Sequence, residues 1–357
     1  MTSSATTVSL PSYDVLIEPG GLARIGTLLE AHAPAHRVAV ITDATVEPLY
    51  GRRVVSAIGD RARLFVIPAG ESAKTRDTWA HVTDAMLATG LGRDTTVVAL
   101  GGGVVGDLAG FIAATYMRGV RFVQVPTTLL AMIDASIGGK VGVDTPAGKN
   151  LVGAFHQPAL VLIDPRTLAT LPANHFRAGL AEALKHGVIA DPAYYDRVSQ
   201  TTDATARDET ALMDVVTGSV RIKADIVTRD EKESGVRKVL NFGHTIGHAI
   251  ESASEYSLLH GEAVAIGMTL EARLAERIGI ASHETAARIQ SSLRAIGLPT
   301  SMPALDPAAV LEATRSDKKA RSGKVEYALP RTIGRMAGES SDWSMPVDDA
   351  DVRAVLG

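Results

Sequence analysis

Between residues 37 and 163 the chain alternates short, continuous apolar runs with stretches of helical periodicity. Arg37-Val38-Ala39-Val40-Ile41, Leu64-Phe65-Val66-Ile67, Thr95-Thr96-Val97-Val98-Ala99-Leu100, Val120 to Val125 and Pro158 to Ile163 read as strands. Helices are expected over about Thr45 to Ile58, up to about Ala88, and over Gly106 to Tyr116. An earlier strand is expected at Tyr13–Ile17 and a helix over Leu22 to Ala31. Apolar runs with no polar alternation belong to strands buried on both faces, as in parallel sheets covered by crossover helices. The expectation is a doubly wound, Rossmann-like α/β unit.

From about Asn174 the period changes. Helical spacing recurs in Phe176–Ile189, Thr210–Ile226, Asn241–Ser252, Gly261–Arg277 and Glu284–Ile296, and the next strand-like run is Val325–Leu329. The expected organisation is an α/β domain over 1–172 and a mainly α-helical domain over 173–357. A length of 357 residues also exceeds what one core comfortably serves. There is no cysteine, which excludes disulfides, thiolate metal sites and thiol nucleophiles. A net charge of −4 offers no basic surface for nucleic acid or an anionic membrane, so an anionic ligand must be met by a local cluster of Lys and Arg. The N-terminus lacks the pattern of a signal peptide, and no apolar run reaches membrane-spanning length. A cytoplasmic enzyme fits these bounds.

Gly101-Gly102-Gly103-Val104-Val105-Gly106 lies between a strand and a helix and satisfies G-x-G-x-x-G. Such glycines let the backbone approach a pyrophosphate at a helix N-terminus; they also occur in tight turns for steric reasons alone. The motif follows the fourth apparent strand and has no acidic residue about twenty positions on, unlike the usual fingerprint. Asp43, at a strand end, suits ribose hydroxyls or a helix cap equally. Beyond it come Arg118, Arg121, Thr127-Thr128, Asp134, Gly138-Gly139-Lys140 and Gly148-Lys149-Asn150. These read as an anion-binding loop system or as a glycine-rich hairpin with solvated lysines.

In Asn241-Phe242-Gly243-His244-Thr245-Ile246-Gly247-His248, two histidines four apart share a helix face. A third follows in His260-Gly261-Glu262. One continuous helix would hold His244 and His260 roughly 24 Å apart, so His260 joins only if Ser252–Ser257 reverses the chain. Glu182, in Gly179-Leu180-Ala181-Glu182-Ala183-Leu184-Lys185-His186, is either an ordinary partner of Lys185 or the third protein ligand of a catalytic metal. Spacing alone leaves both open.

Together these motifs resemble the 3-dehydroquinate synthases of the sugar-phosphate cyclase family along nearly the whole chain. The resemblance rests on the 101–107 glycine turn, Arg118-Gly119-Val120, Gln124–Leu130, Asp134 to Lys140, Gly148-Lys149-Asn150, Gly179–Glu182, Asn241–His248 and His260-Gly261-Glu262. It implies a phosphorus–oxygen lyase converting 3-deoxy-D-arabino-heptulosonate 7-phosphate to 3-dehydroquinate, by transient NAD oxidation at C5, β-elimination of phosphate, re-reduction, ring opening and aldol closure. It implies NAD near Asp43, Glu71, Lys74, Gly102, Gly103, Val104, Asp107, Thr127, Thr128, Lys140, Lys149 and Thr170. It implies a divalent metal, zinc or cobalt, on Glu182, His244 and His260. Substrate contacts are implied for Arg118, Asp134, Lys140, Asn150, Lys185, Lys223, Arg237, Asn241, His248 and one of Lys318 and Lys319, of which Lys319 is taken. The resemblance further implies a homodimer, with Arg118 reaching across its interface. Asp144 departs from the Asn that many relatives carry. Sibling cyclases such as 2-deoxy-scyllo-inosose or 2-epi-5-epi-valiolone synthase, and polyol dehydrogenases, are the alternatives.

Overall fold

The computed structural model describes residues 5–315, 325–338 and 342–357, so Lys318 and Lys319 lie outside the described residues. The chain forms two compact units, one of residues 1–171 with 208–224, the other of 172–207 with 225–357.

The first unit contains β1 (Thr6–Ser9), β2 (Asp14–Ile17), α1 (Ile25–His32), β3 (Arg37–Asp43), α2 (Arg52–Ile58), β4 (Ala62–Ile67), α3 (Arg76–Ala88), β5 (Thr95–Gly101), α4 (Gly103–Thr115), β6 (Arg121–Pro126), β7 (Lys140–Thr145), β8 (Gly148–Phe155) and β9 (Leu160–Ile163). Its main sheet runs β1-β2-β9-β6-β5-β3-β4, with β1 antiparallel and the other pairs parallel. β5 shows why the runs read so cleanly. Val97 and Ala99 enter the core on one face, with Leu108, Ile112 and Phe122; Val98 and Leu100 enter that on the other, with Val38, Val40 and Val123. Each fully buried Val, Leu, Ile or Phe among them contributes about 1.5–3 kcal/mol.

Sheet order positions the candidate cofactor residues. From β3 the chain moves outward to β4, then returns to β5 on the opposite side of β3. The connections diverge at the carboxyl ends of β3 and β5, and crevices at such switch points are where doubly wound sheets take ligands. Asp43 ends β3 and Gly101 ends β5. β7 and β8 stand apart as a two-stranded ribbon, the hairpin considered among the sequence readings.

The second unit is built from α5 (Ala173–Ala190), α6 (Pro192–Ser199), the end of α7 (Glu209–Arg229), α8 (His244–Ala253), α9 (His260–Arg277), α10 (Thr285–Ile296), α11 (Pro307–Arg315) and α12 (Asp349–Leu356). Instead of one strand over Val325–Leu329, short ribbons pair Glu326–Tyr327 with Met345–Pro346 and Pro330–Thr332 with Arg335–Met336. Among the described residues, no helix is long and apolar enough to cross a membrane.

Candidate active site

In the first unit α4 starts at Gly103, three residues earlier than the sequence suggests, because Gly102 (φ −76°, ψ −170°) turns the chain directly out of β5. A Cβ on Gly102 would stand 3.2 Å from Thr128, and one on Gly103 3.4 Å from Ala135, so the turn has little room for side chains. Gly102 has no side chain to cap the first turn of α4, which leaves its N–H donors suited to a phosphate. Gly106 instead sets the close packing of α4 on β6, since a Cβ there would come within 2.8 Å of the Gln124 side chain.

Lys74 is 3% exposed, and its ammonium lies 2.6 Å from Asp107 and 3.9 Å from Glu71; Lys149 lies 3.8 Å from Glu71. Burial alone would lower the Lys74 ammonium, but Asp107 and Glu71 outweigh it and raise it. Asp43 spends Oδ1 on the N–H groups of Thr45 (2.8 Å) and Val46 (2.9 Å), the capping role considered for it. Thr128 Oγ1 accepts from Ala131 N–H, and Thr170 Oγ1 lies 2.7 Å from the Tyr50 hydroxyl. The Lys223 ammonium donates to both the Asp134 carboxylate and its carbonyl, each at 2.6 Å. Lys140 is exposed, and Val104 is partly buried. Asn150 (φ 53°) is fixed by its N–H to Asp144 Oδ1 at 2.8 Å. Arg118 is exposed on a turn in which it and Met117 both have positive φ.

In the second unit three helices converge. α5 supplies Glu182 and Lys185, α8 supplies His244 and His248, and His260 is the first residue of α9. The chain reverses after α8 through Glu255 and Tyr256, both at positive φ, as the participation of His260 requires. Each residue of His260-Gly261-Glu262 then has a part. Glu262 Oε2 accepts Leu259 N–H at 2.9 Å and closes the start of α9. Gly261 lets α9 meet α5, since a Cβ there would sit 2.0 Å from the Ala178 carbonyl oxygen. His260 is left at the helix start, facing Glu182.

Glu182 is fully buried, and neither of its carboxylate oxygens has a regular hydrogen bond. Oε1 lies 3.3 Å from His244 Nε2 and 3.7 Å from His260 Nε2, and Lys185 makes a close ion pair with Oε2. The outer nitrogens of both histidines are committed. His244 Nδ1 lies 3.1 Å from the Phe242 carbonyl, which can only accept, and His260 Nδ1 lies 3.2 Å from Glu251 Oε2. Partners of this kind fix the tautomer that leaves an Nε2 lone pair for a metal. Burial opposes the charge on Glu182, but Lys185 and His244 hold its carboxyl well below the usual range. Burial likewise lowers His244, to about 3; for His260 the contacts with Glu182 and Glu251 outweigh burial and raise it to about 9.

The nitrogen ligand atoms of His244, His248 and His260 all lie within 4.8 Å of one another, so histidine geometry alone does not set His248 apart. Glu251, which sequence reasoning did not assign, was accessible in principle: it follows His248 by one helical turn on the same face of α8. Arg237 is 2% exposed and donates to the Glu231 carbonyl, while Asn241 Nδ2 donates to Glu233 at 2.6 Å. Glu231 and Glu233 are thus further residues that spacing did not reveal.

Two family models cover most of the chain: 3-dehydroquinate synthase N-terminal over residues 64–178 and 3-dehydroquinate synthase C-terminal over residues 179–320. The chain is 46% identical to a 3-dehydroquinate synthase of Rippkaea orientalis, covering 92% of this chain and 93% of that one. It is 46% identical to one of Desulforamulus reducens, covering 97% and 96%. Among solved structures it is similar to a 2-epi-5-epi-valiolone synthase from Streptomyces hygroscopicus with NAD+ and Zn2+ bound, at 34% identity and TM-score 0.87, covering 99% and 98%. A 2-deoxy-scyllo-inosose synthase complexed with carbaglucose-6-phosphate, NAD+ and Co2+ shares the fold at TM-score 0.90 and 24% identity, covering 99% of each chain.

Proposed function

Because this chain belongs to the 3-dehydroquinate synthase family, we propose that it converts 3-deoxy-D-arabino-heptulosonate 7-phosphate to 3-dehydroquinate and phosphate, with NAD and a divalent metal as cofactors. The observation that carries this reading is Glu182, a buried carboxylate facing two histidine Nε2 atoms whose rings are already oriented by Phe242 and Glu251. Two imidazole nitrogens and one carboxylate oxygen suit a catalytic zinc with an open position, and cobalt equally. Glu182, His244 and His260 would hold it. The Gly102–Gly103 turn, whose Cβ positions have little room, suits a dinucleotide pyrophosphate, and Asp107 in the helix that follows it pairs with Lys74.

The α/β residues 1–172 are assigned the cofactor and the helical residues 173–357 the metal and part of the substrate. When bound, NAD supplies a reversible oxidant for one substrate hydroxyl and the metal a Lewis acid for the same oxygen, which acidifies the neighbouring C–H. The remaining work belongs to side chains. Arg237, held by the Glu231 carbonyl, and His248 are assigned to the phosphate, where positive charge and hydrogen-bond donors favour its departure. Lys185, paired with Glu182, and Lys223, paired with Asp134, keep ammonium donors fixed for substrate oxygens. Asn241, fixed by Glu233, and Asn150, fixed by Asp144, orient the flexible substrate. The enzyme is read as a cytoplasmic homodimer in which Arg118, exposed on its turn, reaches across the interface.

The histidine assignment has a direct test. His244→Ala should abolish zinc retention on gel filtration, whereas His248→Ala should retain zinc and lose turnover. Equal loss of metal from both variants would refute it.

A further inference from the structure

Glu271 lies within α9, fully buried. A carboxylate with no exposed surface must be answered by nearby donors. Two of these donors are backbone: Oε2 accepts Gly243 N–H at 2.6 Å and Oε1 accepts Ile246 N–H at 2.9 Å. These peptides flank His244, the first residue of α8. Gly243, left-handed at φ 79°, has no side chain with which to cap the helix, so the carboxylate from α9 replaces the missing cap and meets the positive end of the helix dipole.

One of these two bonds leads directly to the metal site. Gly243 N–H and the Phe242 carbonyl belong to the same peptide group. Glu271 holds the N–H, and the carbonyl lies 3.1 Å from His244 Nδ1. A charged acceptor on the N–H polarises that carbonyl and fixes its plane, which makes it a stronger and better-aimed partner for the imidazole. Packing keeps the connection short. A Cβ on Gly243 would come within 2.4 Å of Met268, and one on Gly267 within 2.0 Å of the Gly243 carbonyl oxygen.

We propose that Glu271 is a positioning residue of the metal site, acting through the Phe242–Gly243 peptide to set the ring orientation and tautomer of His244. The proposal rests on reading Glu182, His244 and His260 as the ligands. It predicts that the carboxylate controls metal affinity beyond any part it has in stability.

The test is zinc affinity of the purified enzyme, measured by competition with a chromophoric chelator, alongside the thermal midpoint of each metal-free variant. Glu271→Gln preserves size but sets an amide NH2 against one of the two backbone N–H groups. Its zinc affinity is expected to fall about 10–100-fold, the range for lost outer partners of metal ligands. Glu271→Asp, too short to reach both donors, should fall between and serves as the test if the Gln variant does not fold. Ile289→Ala, a truncation of a fully buried side chain in α10, destabilises the same unit without breaking these bonds and should bind zinc as the parent does. In the cobalt-substituted enzyme, Glu271→Gln should also shift the visible absorption bands and Ile289→Ala should not. Parent-like affinity in Glu271→Gln or, where that variant does not fold, in Glu271→Asp, or a loss no greater than in Ile289→Ala, would overturn the proposal. If His244→Ala still binds zinc like the parent, the ligand assignment itself fails, a separate outcome.

Discussion

Glu71 shows how much of this protein's chemistry is decided by neighbours distant in sequence. Burial raises its carboxyl above the ordinary 4.5, Lys74 and Lys149 pull it down, and Asp144 pushes it up again. A carboxyl whose folded pKa exceeds its unfolded one contributes stability that is full below the unfolded value and is lost as pH rises through the folded value. Removing the Asp144 charge relieves part of that cost. Asp144→Asn is therefore expected to move the Glu71 titration downward, as followed by carboxyl-carbon NMR, while the amide oxygen still accepts Asn150 N–H. An unmoved or raised Glu71 titration would contradict this account of its environment. At this scale the sequence revealed residue types and little about partners. That Asp43 caps Thr45 and Val46 was one of two open readings, and only coordinates show where its oxygen goes. That Glu251 answers His260 is a pairing across the chain reversal between α8 and α9, which helix periodicity does not describe.

At the scale of elements, glycines decide how closely the three helices that carry Glu182, His244 and His260 approach. Gly261 abuts the Ala178 carbonyl on α5, and Gly247 brings α8 against Ala263 on α9, its Cβ position 3.1 Å from that carbonyl oxygen. Adding a methyl at 261 must separate α5 from α9, and with them Glu182 from His260. Gly261→Ala should cost about 1–3 kcal/mol in urea denaturation, the usual range for overpacking, and should also weaken zinc retention. Stability loss with unchanged zinc affinity would show that helix spacing does not set the site. Periodicity found the long helices because a buried stripe repeats, but it treats helix glycines only as destabilising. It also missed α6, a helix of eight residues whose signal was local, in the Asp191 cap and Pro192 at the first turn. α12 is equally short.

At the scale of the whole molecule, a parallel sheet covered on both faces follows from runs such as Val97–Leu100, each residue buried on one face or the other, which is why the fold class was legible. The assignment of residues 208–224 to the first unit was not legible, since a helix carries no mark of the unit it packs with. Both units have their own apolar cores, so the fold is not expected to depend on the metal. Chelation should abolish turnover and leave the far-ultraviolet circular dichroism unchanged, and added zinc or cobalt should restore activity; collapse of helicity on chelation would argue for a structural metal instead. The central claim is that NAD+ is reduced and re-oxidised within one turnover while phosphate leaves. Incubating the purified, zinc-loaded protein with 3-deoxy-D-arabino-heptulosonate 7-phosphate and substoichiometric NAD should release one phosphate per 3-dehydroquinate formed, over many turnovers, with no net NADH absorbance. NADH accumulation with a polyol and no phosphate release would contradict it.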